Sequence, residues 1–260
     1  MRPENTLAAF EYAIEVGVDV VEMDLAVTKD DRIVVIHDLA LNPHLCLGPK
    51  GKRIVGRHPV RGMALATLRG YDCGSLKNDA YPRQVPAPGQ RIPTLEEVLE
   101  LVAGADATDK ARRIRLNLEM KSVPARKELS PPPEKFAGLL VKALRAGGMV
   151  ERVVVQSFDH RCLAEVKRLE PKIRISALIS KNLPDLPELA RDLGAEIVSP
   201  NQDWITAPVV KALHAAGVRV IPWTVNTEKD WARMLEIGVD GIITDDPAGL
   251  TDYLRGRGLR

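Results

Sequence analysis

From about residue 114 to the C-terminus, short β-branched runs alternate with amphipathic stretches of about ten to twelve residues. Parallel strands joined by helical crossovers produce that rhythm, and it excludes an all-β fold. The strand candidates are Arg115 to Glu119, Val153 to Gln156, Arg174 to Leu178, Glu196 to Ser199, Arg219 to Trp223 and Gly241 to Thr244. Helical periods fall between them at Phe136 to Ala146, His160 to Leu169, Leu186 to Leu193, Pro208 to Ala216 and Lys229 to Ile237. Gly147, Gly194, Gly217 and Gly238 follow four of these runs, where glycine readily takes the left-handed conformation that ends a helix.

Upstream, Pro3-Glu4-Asn5-Thr6 opens a helix that runs to about Val16 and closes at Gly17, and Val20 to Val27 follows as a strand. That strand makes seven parallel candidates. With 260 residues, the expected fold is one α/β domain of the (β/α)8 barrel type. The five residues between Val27 and Ile33 are too few for a parallel crossover, so Ile33 to His37 pairs with Val20 to Val27 as an antiparallel hairpin. A four- or five-residue loop sets His37 opposite Asp24 or Met23.

Residues 39–91 break the rhythm with scattered prolines and glycines and no sustained period, and read as a small insertion within the single 1–260 domain. The rhythm resumes at Thr94, an N-cap with Glu97 three residues on, in the pattern of a capping box. Ser130-Pro131-Pro132-Pro133 forms a rigid loop before the next helix.

The chemistry lies in two strands. A period of two puts Glu22 and Asp24 on one face, with Met23 pointing away. Glu119 and Lys121 repeat the arrangement. Carboxylates facing a barrel interior need a cation, a proton or basic partners. Three of them from two strands suit one hard divalent cation, Ca2+ or Mg2+, while Lys121 offers a charge for a phosphate oxygen. Taken alone, each pair is better explained by ion pairing at the rim. With His37-Asp38 at the tip of the hairpin, the combination points to acid–base chemistry at a phosphoryl group. His44, His58, His160 and His214 are assigned to surface or packing, and Trp223 stands at the C-terminal end of a strand, where barrel sites are assembled. Asp245 or Asp246 is expected to cap the following helix.

Lys+Arg 37 against Asp+Glu 35 gives a net charge of +2, too weak a field to argue for nucleic acid or an anionic membrane. Cys46, Cys73 and Cys162 show no C-x-x-C spacing and read as ordinary thiols, giving neither a disulfide framework nor a zinc site. No apolar run reaches the length of a membrane span, so the chain reads as soluble.

In order, Pro-Glu-Asn-Thr at 3–6, Glu22-x-Asp24, His37-Asp38, Pro93 to Glu97, Glu119-x-Lys121, Gln156-Ser157-Phe158, Trp223 to Asn226 and Gly241 to Asp245 resemble the glycerophosphodiester phosphodiesterase family over nearly the whole chain. The resemblance implies a barrel that cleaves glycerophosphodiesters to an alcohol and glycerol 3-phosphate, with Glu22, Asp24 and Glu119 as ligands of one divalent cation. It implies that His37 is one of two proton-trading histidines and that Lys121 holds a phosphate oxygen. Glu4 and Asn5 match the family's loop beside the site, Trp223 a wall of the pocket, and residues 39–91 the insertion that shapes it. The expected partner is a small-molecule substrate, with no nucleic acid and no membrane span; homo-oligomer formation is compatible with the sequence.

One departure stands out. The family opens with a strand ending in His-Arg-Gly, and only Met1-Arg2 precedes Pro3 here. A start assigned too far downstream accounts for this, and leaves the compartment cytoplasmic for the chain as written or periplasmic behind an upstream signal peptide. The rival readings are a truncated homologue that only binds metal and phosphate ligands, and, more remotely, an unrelated barrel enzyme such as an aldolase.

Overall fold

The computed structural model describes residues 1–108 and 113–260. In chain order the elements are α1 (Leu7–Val16), β1 (Val20–Val27), β2 (Ile33–Val35), α2 (Leu65–Leu68), α3 (Leu95–Thr108), β3 (Arg115–Met120), α4 (Pro133–Ala146), β4 (Val153–Ser157), α5 (His160–Leu169), β5 (Arg174–Ile179), α6 (Leu186–Leu193), β6 (Ile197–Pro200), α7 (Ala207–Ala215), β7 (Arg219–Val220), α8 (Glu228–Ile237) and α9 (Pro247–Arg255). Local chemistry sets several of their ends. Thr6 caps α1 by accepting from the Ala9 amide, and Gly17 closes it at φ 100°, a value that favours glycine. Thr94 and Glu97 exchange hydrogen bonds as a capping box at the start of α3.

The strands lie in the order β2-β1-β3-β4-β5-β6-β7, with β1 and β3 to β7 parallel and β2 antiparallel on β1. Outward-facing side chains such as Met23, Leu118, Val155, Ile175 and Val198 are buried beneath the helices in one continuous core. Each fully buried side chain of this size contributes about 1.5–3 kcal/mol. The inward-facing set is more polar. Glu22, Asp24, Asn117, Glu119, Gln156, Ser176 and Ser199 line a cavity of about 830 Å³ shared by every parallel strand and by residues 241–244. One cavity with all these walls requires the sheet to curve round it, so the fold is an α/β barrel of the TIM type.

Three boundaries differ from expectation. The ladder of β7 on β6 stops at Val220 because Pro200 has no amide to donate to Ile221 O, although Ile221 N–H and Trp223 N–H still reach Val198 O and Pro200 O (3.1 and 3.0 Å). Residues 241–244 still run beside this segment through Ile243 N–H to Pro222 O (3.0 Å) and Val225 N–H to Ile243 O (2.9 Å), without forming a regular strand. The hairpin pairs Leu25 with Val35 and Val27 with Ile33, so β2 ends two residues before His37. After α4 the left-handed residue is Gly148 (φ 65°), since Gly147 keeps helical angles.

Residues 39–91 pack over the β1–β2 hairpin around a small core of Val34, Ile36, Leu41, Val60, Leu68 and Tyr71. Here the reading of the cysteines is corrected. Cys46 and Cys73 form a disulfide across 27 residues, and only Cys162 is a free, buried thiol. No spacing motif marks this pair. It is assembled by the reciprocal main-chain bonds of Leu47 and Asp72 (2.7 and 2.9 Å), which bring the flanking cysteines together. Among the described residues, no helix is long and apolar enough to cross a membrane.

Candidate active site

The register of β1 on β3 places Asp24 directly opposite Glu119 and Glu22 opposite Asn117. Period-two alternation sends all four side chains to the inner face. Glu22, Asp24 and Glu119 each bring one carboxylate oxygen within 4.8 Å of the others'. Lys121 Nζ lies 3.4 Å from Asp24 Oδ1 and 3.2 Å from Glu119 Oε1. Asn5, which turns the chain through a left-handed φ of 53°, grips Asp24 at two points. Its Nδ2 donates to Asp24 Oδ2 (2.8 Å), and its Oδ1 accepts from the Asp24 amide (3.1 Å). Gln156 Nε2 donates to Glu22 Oε1 (2.9 Å).

The electrostatics are those of too many buried oxygens for the cations present. Burial, then Asp24 and Glu119, drives the Glu22 carboxyl well above its usual range. Burial pushes Glu119 up to about 7 against the opposing pull of Lys121. Burial alone would lower the Lys121 ammonium, but Asp24 and Glu119 outweigh it and raise it. Two further acceptors, Asn117 Oδ1 and Gln156 Oε1, are buried with no hydrogen-bond partner. Three carboxylates and two orphan amide oxygens around a single ammonium form a donor set that fits a hard divalent cation.

His37 stands at the rim of the same cavity, its side chain about half exposed. Its Nδ1 lies 2.9 Å from Asp38 Oδ1, and that bond is the largest cause of an imidazole pKa above the ordinary value; Asp24 adds to the rise against burial. Glu4 lines the cavity too, its carboxyl raised by burial and pulled back by His37. Trp223 donates Nε1–H to Ser199 O (2.8 Å), and Phe158 meets its ring edge-on at 5.4 Å between centroids. The structure thus brings Glu4, Asn5, Glu22, Asp24, His37, Glu119, Lys121 and Trp223 to one cavity.

Several partners had no role assigned from the sequence, although Gln156 and Phe158 stand in a stretch that carries the family resemblance. Phe158 is 41% exposed despite its size, which marks it only once the fold is known. Gln156 is legible in retrospect as an inward position of β4 opposite Glu119. Tyr81, in the insertion, donates to Asp245 Oδ2 (3.0 Å), which also receives Asn226 Nδ2 (2.7 Å). Burial and Asp245 push the Tyr81 phenol up to about 12. Asp246 is the residue that caps α9, by accepting from the Gly249 amide, and Arg83 of the insertion reaches it as well.

The profile of the Glycerophosphoryl diester phosphodiesterase family matches residues 1–249. A glycerophosphodiester phosphodiesterase of Caldanaerobacter subterraneus subsp. tengcongensis is 34% identical over 253 residues, covering 97% of this chain and 93% of its own length. One from Bacillus altitudinis is 34% identical over 249 residues, covering 94% and 90%. A crystal structure from Silicibacter pomeroyi DSS-3 superposes with a TM-score of 0.91 at 31% identity, covering 100% of this chain and 91% of that one. At the level of fold alone, an Oleispira antarctica phosphodiesterase solved with its product sn-glycerol-3-phosphate gives 0.79 at 24% identity, covering 98% and 92%. This chain therefore belongs to the glycerophosphoryl diester phosphodiesterase family.

Proposed function

We propose that the chain hydrolyses glycerophosphodiesters to an alcohol and sn-glycerol 3-phosphate, with Glu22, Asp24 and Glu119 holding one divalent cation, Ca2+ or Mg2+. The observation that carries this reading is the convergence of three carboxylate oxygens within 4.8 Å, beside Lys121 and in the cavity that His37 borders. A divalent ion bound there supplies Lewis-acid polarisation of the phosphoryl oxygens. Lys121 Nζ donates to a non-bridging oxygen and balances its charge, and Asn5 and Gln156 keep Asp24 and Glu22 aimed at the ion.

His37 handles the proton. With Nδ1 engaged by Asp38, Nε2 is the nitrogen presented to substrate, where it exchanges a proton with the reacting oxygens as water adds to phosphorus and the P–O bond to the alcohol breaks. The Trp223–Phe158 pair forms an apolar wall for the carbon skeleton, Glu4 borders the polar side, and residues 39–91 act as a cap on the same domain. The substrate is a small molecule, and the reaction calls for no nucleic acid partner.

A second reading, binding of cation and phosphate without turnover, is favoured by one observation. Among the described residues His37 is the only imidazole lining the cavity. Turnover of glycerophosphocholine with added Ca2+ or Mg2+, run beside calorimetry with sn-glycerol 3-phosphate, separates the two. Cation-dependent release of sn-glycerol 3-phosphate, lost in Glu119→Gln, supports hydrolysis; tight binding with no release favours the second reading; neither binding nor release rejects both.

A further inference from the structure

We propose that Asn42 is the positioning residue for His37, acting through Asp38 to fix which ring nitrogen carries the proton. An ionised carboxylate only accepts hydrogen bonds, so the 2.9 Å contact between Asp38 Oδ1 and His37 Nδ1 requires the proton on Nδ1 and leaves the Nε2 lone pair open. That contact joins neighbouring residues whose side chains are 41% and 55% exposed. Left alone, both would rotate freely in water.

Asn42 removes that freedom. Its Nδ2 donates to the other carboxylate oxygen, Asp38 Oδ2, at 2.9 Å, so both oxygens are committed and the carboxylate plane is set. Asp38 is correspondingly acidic, held below the usual carboxylate range by the His37 bond, against burial, and by Asn42. Asn42 is itself pinned: Oδ1 accepts from the His44 amide (2.9 Å), and its carbonyl accepts from the Leu45 and Cys46 amides (3.1 and 2.9 Å). Cys46 is fastened to Cys73 by the disulfide, and the neighbouring Leu47 to Asp72 by two main-chain bonds. A covalent anchor in the insertion thus reaches the imidazole through three consecutive links, none of which touches the carboxylate cluster.

The two ends of the Asn42 amide do different jobs, and this makes them separable. Asn42→Asp keeps the oxygen that accepts from His44 and forms the same turn, but replaces the donor to Asp38 with a second acceptor. Asn42→Ala removes both without adding charge. The inference rests on the reading of His37 as the proton-handling group, so one of its two tests needs neither substrate nor cation. In the full chain, at a pH where the ring is neutral, ¹⁵N shifts of His37 should show Nδ1 protonated in the wild type and a tautomer mixture in both variants.

With cation present, kcat for a glycerophosphodiester should fall about 10- to 100-fold in Asn42→Asp with KM changed less than threefold, the size expected when an orienting partner is lost. A wild-type tautomer pattern in both variants overturns the proposal whatever the turnover. So does a wild-type kcat in a variant whose tautomer has shifted. An inactive wild type, with the tautomer shift present in both variants, would reject the hydrolytic reading and leave the Asn42–Asp38–His37 linkage standing.

Discussion

The barrel wall and the 39–91 insertion hold their parts of the site by different physics. In β1 and β3 the carboxylates are placed by parallel ladders whose outward residues are buried, so Asp24 and Glu119 face each other by register. In the insertion there is no long ladder, and position comes from a disulfide, from the Asp72 side chain accepting from the Gly74, Ser75 and Gly89 amides, and from the Tyr81 and Arg83 contacts to Asp245 and Asp246. The wall supplies the groups that must be close despite their charge, because only a rigid sheet resists that repulsion. The cap supplies the orientation of His37, which needs a hydrogen-bond chain rather than a core.

If this division holds, damage to the wall and to the cap should differ in kind. The largest effect is expected for Glu119→Gln, which removes a wall ligand without changing volume. Steady-state assays should show turnover down about 10³-fold, in the upper range for loss of one preorganised electrostatic group. Removing the anchor of the cap, with Cys46→Ala and Cys73→Ala together, releases a loop of 27 residues and should destabilise that region by ~3.5 kcal/mol. Hydrogen exchange should show the loss of protection confined to the insertion, while β3 to β5 keep theirs. Equal loss in both regions would erase the distinction.

The wall should also carry the pH dependence. Glu119 titrates near 7 in the folded, cation-free chain and in the ordinary carboxylate range when unfolded. Between those values the folded state binds the extra proton, so stability falls as pH rises across that window. The loss is on the order of 3 kcal/mol, complete above about pH 7, and Glu22 acts in the same direction. Urea titrations at pH 5 and 8 should show it, and added Mg2+ or Ca2+ should reverse it at pH 8. The smallest effect is expected for Tyr81→Phe, which removes one cap-to-wall hydrogen bond while Asn226 still holds Asp245. A loss of about 1 kcal/mol, read as a lower urea midpoint, is the result to look for.

The same division decides what a reader of the sequence sees. Glu22, Asp24, Glu119 and Lys121 are legible because strand periodicity converts spacing into facing, and the family resemblance then orders them. Helix ends at Thr6, Thr94, Gly194 and Gly238 are legible because capping is local chemistry. Pro200 explains why the expected strand at 219–223 shortens to Arg219–Val220: it offers no amide to Ile221 across the ladder, a constraint that the periodicity of 219–223 itself does not record. The Cys46–Cys73 bridge, the Asn42–Asp38 link and the Tyr81–Asp245 contact are not legible. The bridge and the Tyr81–Asp245 contact follow from a tertiary path no spacing rule records, and the Asn42–Asp38 link, though it spans four residues, lies in an aperiodic turn where spacing does not fix which side chains meet.

Calorimetric titration of the cation-free chain with Ca2+ and Mg2+ at pH 8, wild type beside Asp24→Asn and Glu119→Gln, tests the central claim most directly. Convergence of three carboxylates predicts one ion bound per chain in the wild type, and affinity reduced at least tenfold in each variant. Binding that is absent from the wild type, or that survives both substitutions unchanged, would contradict it.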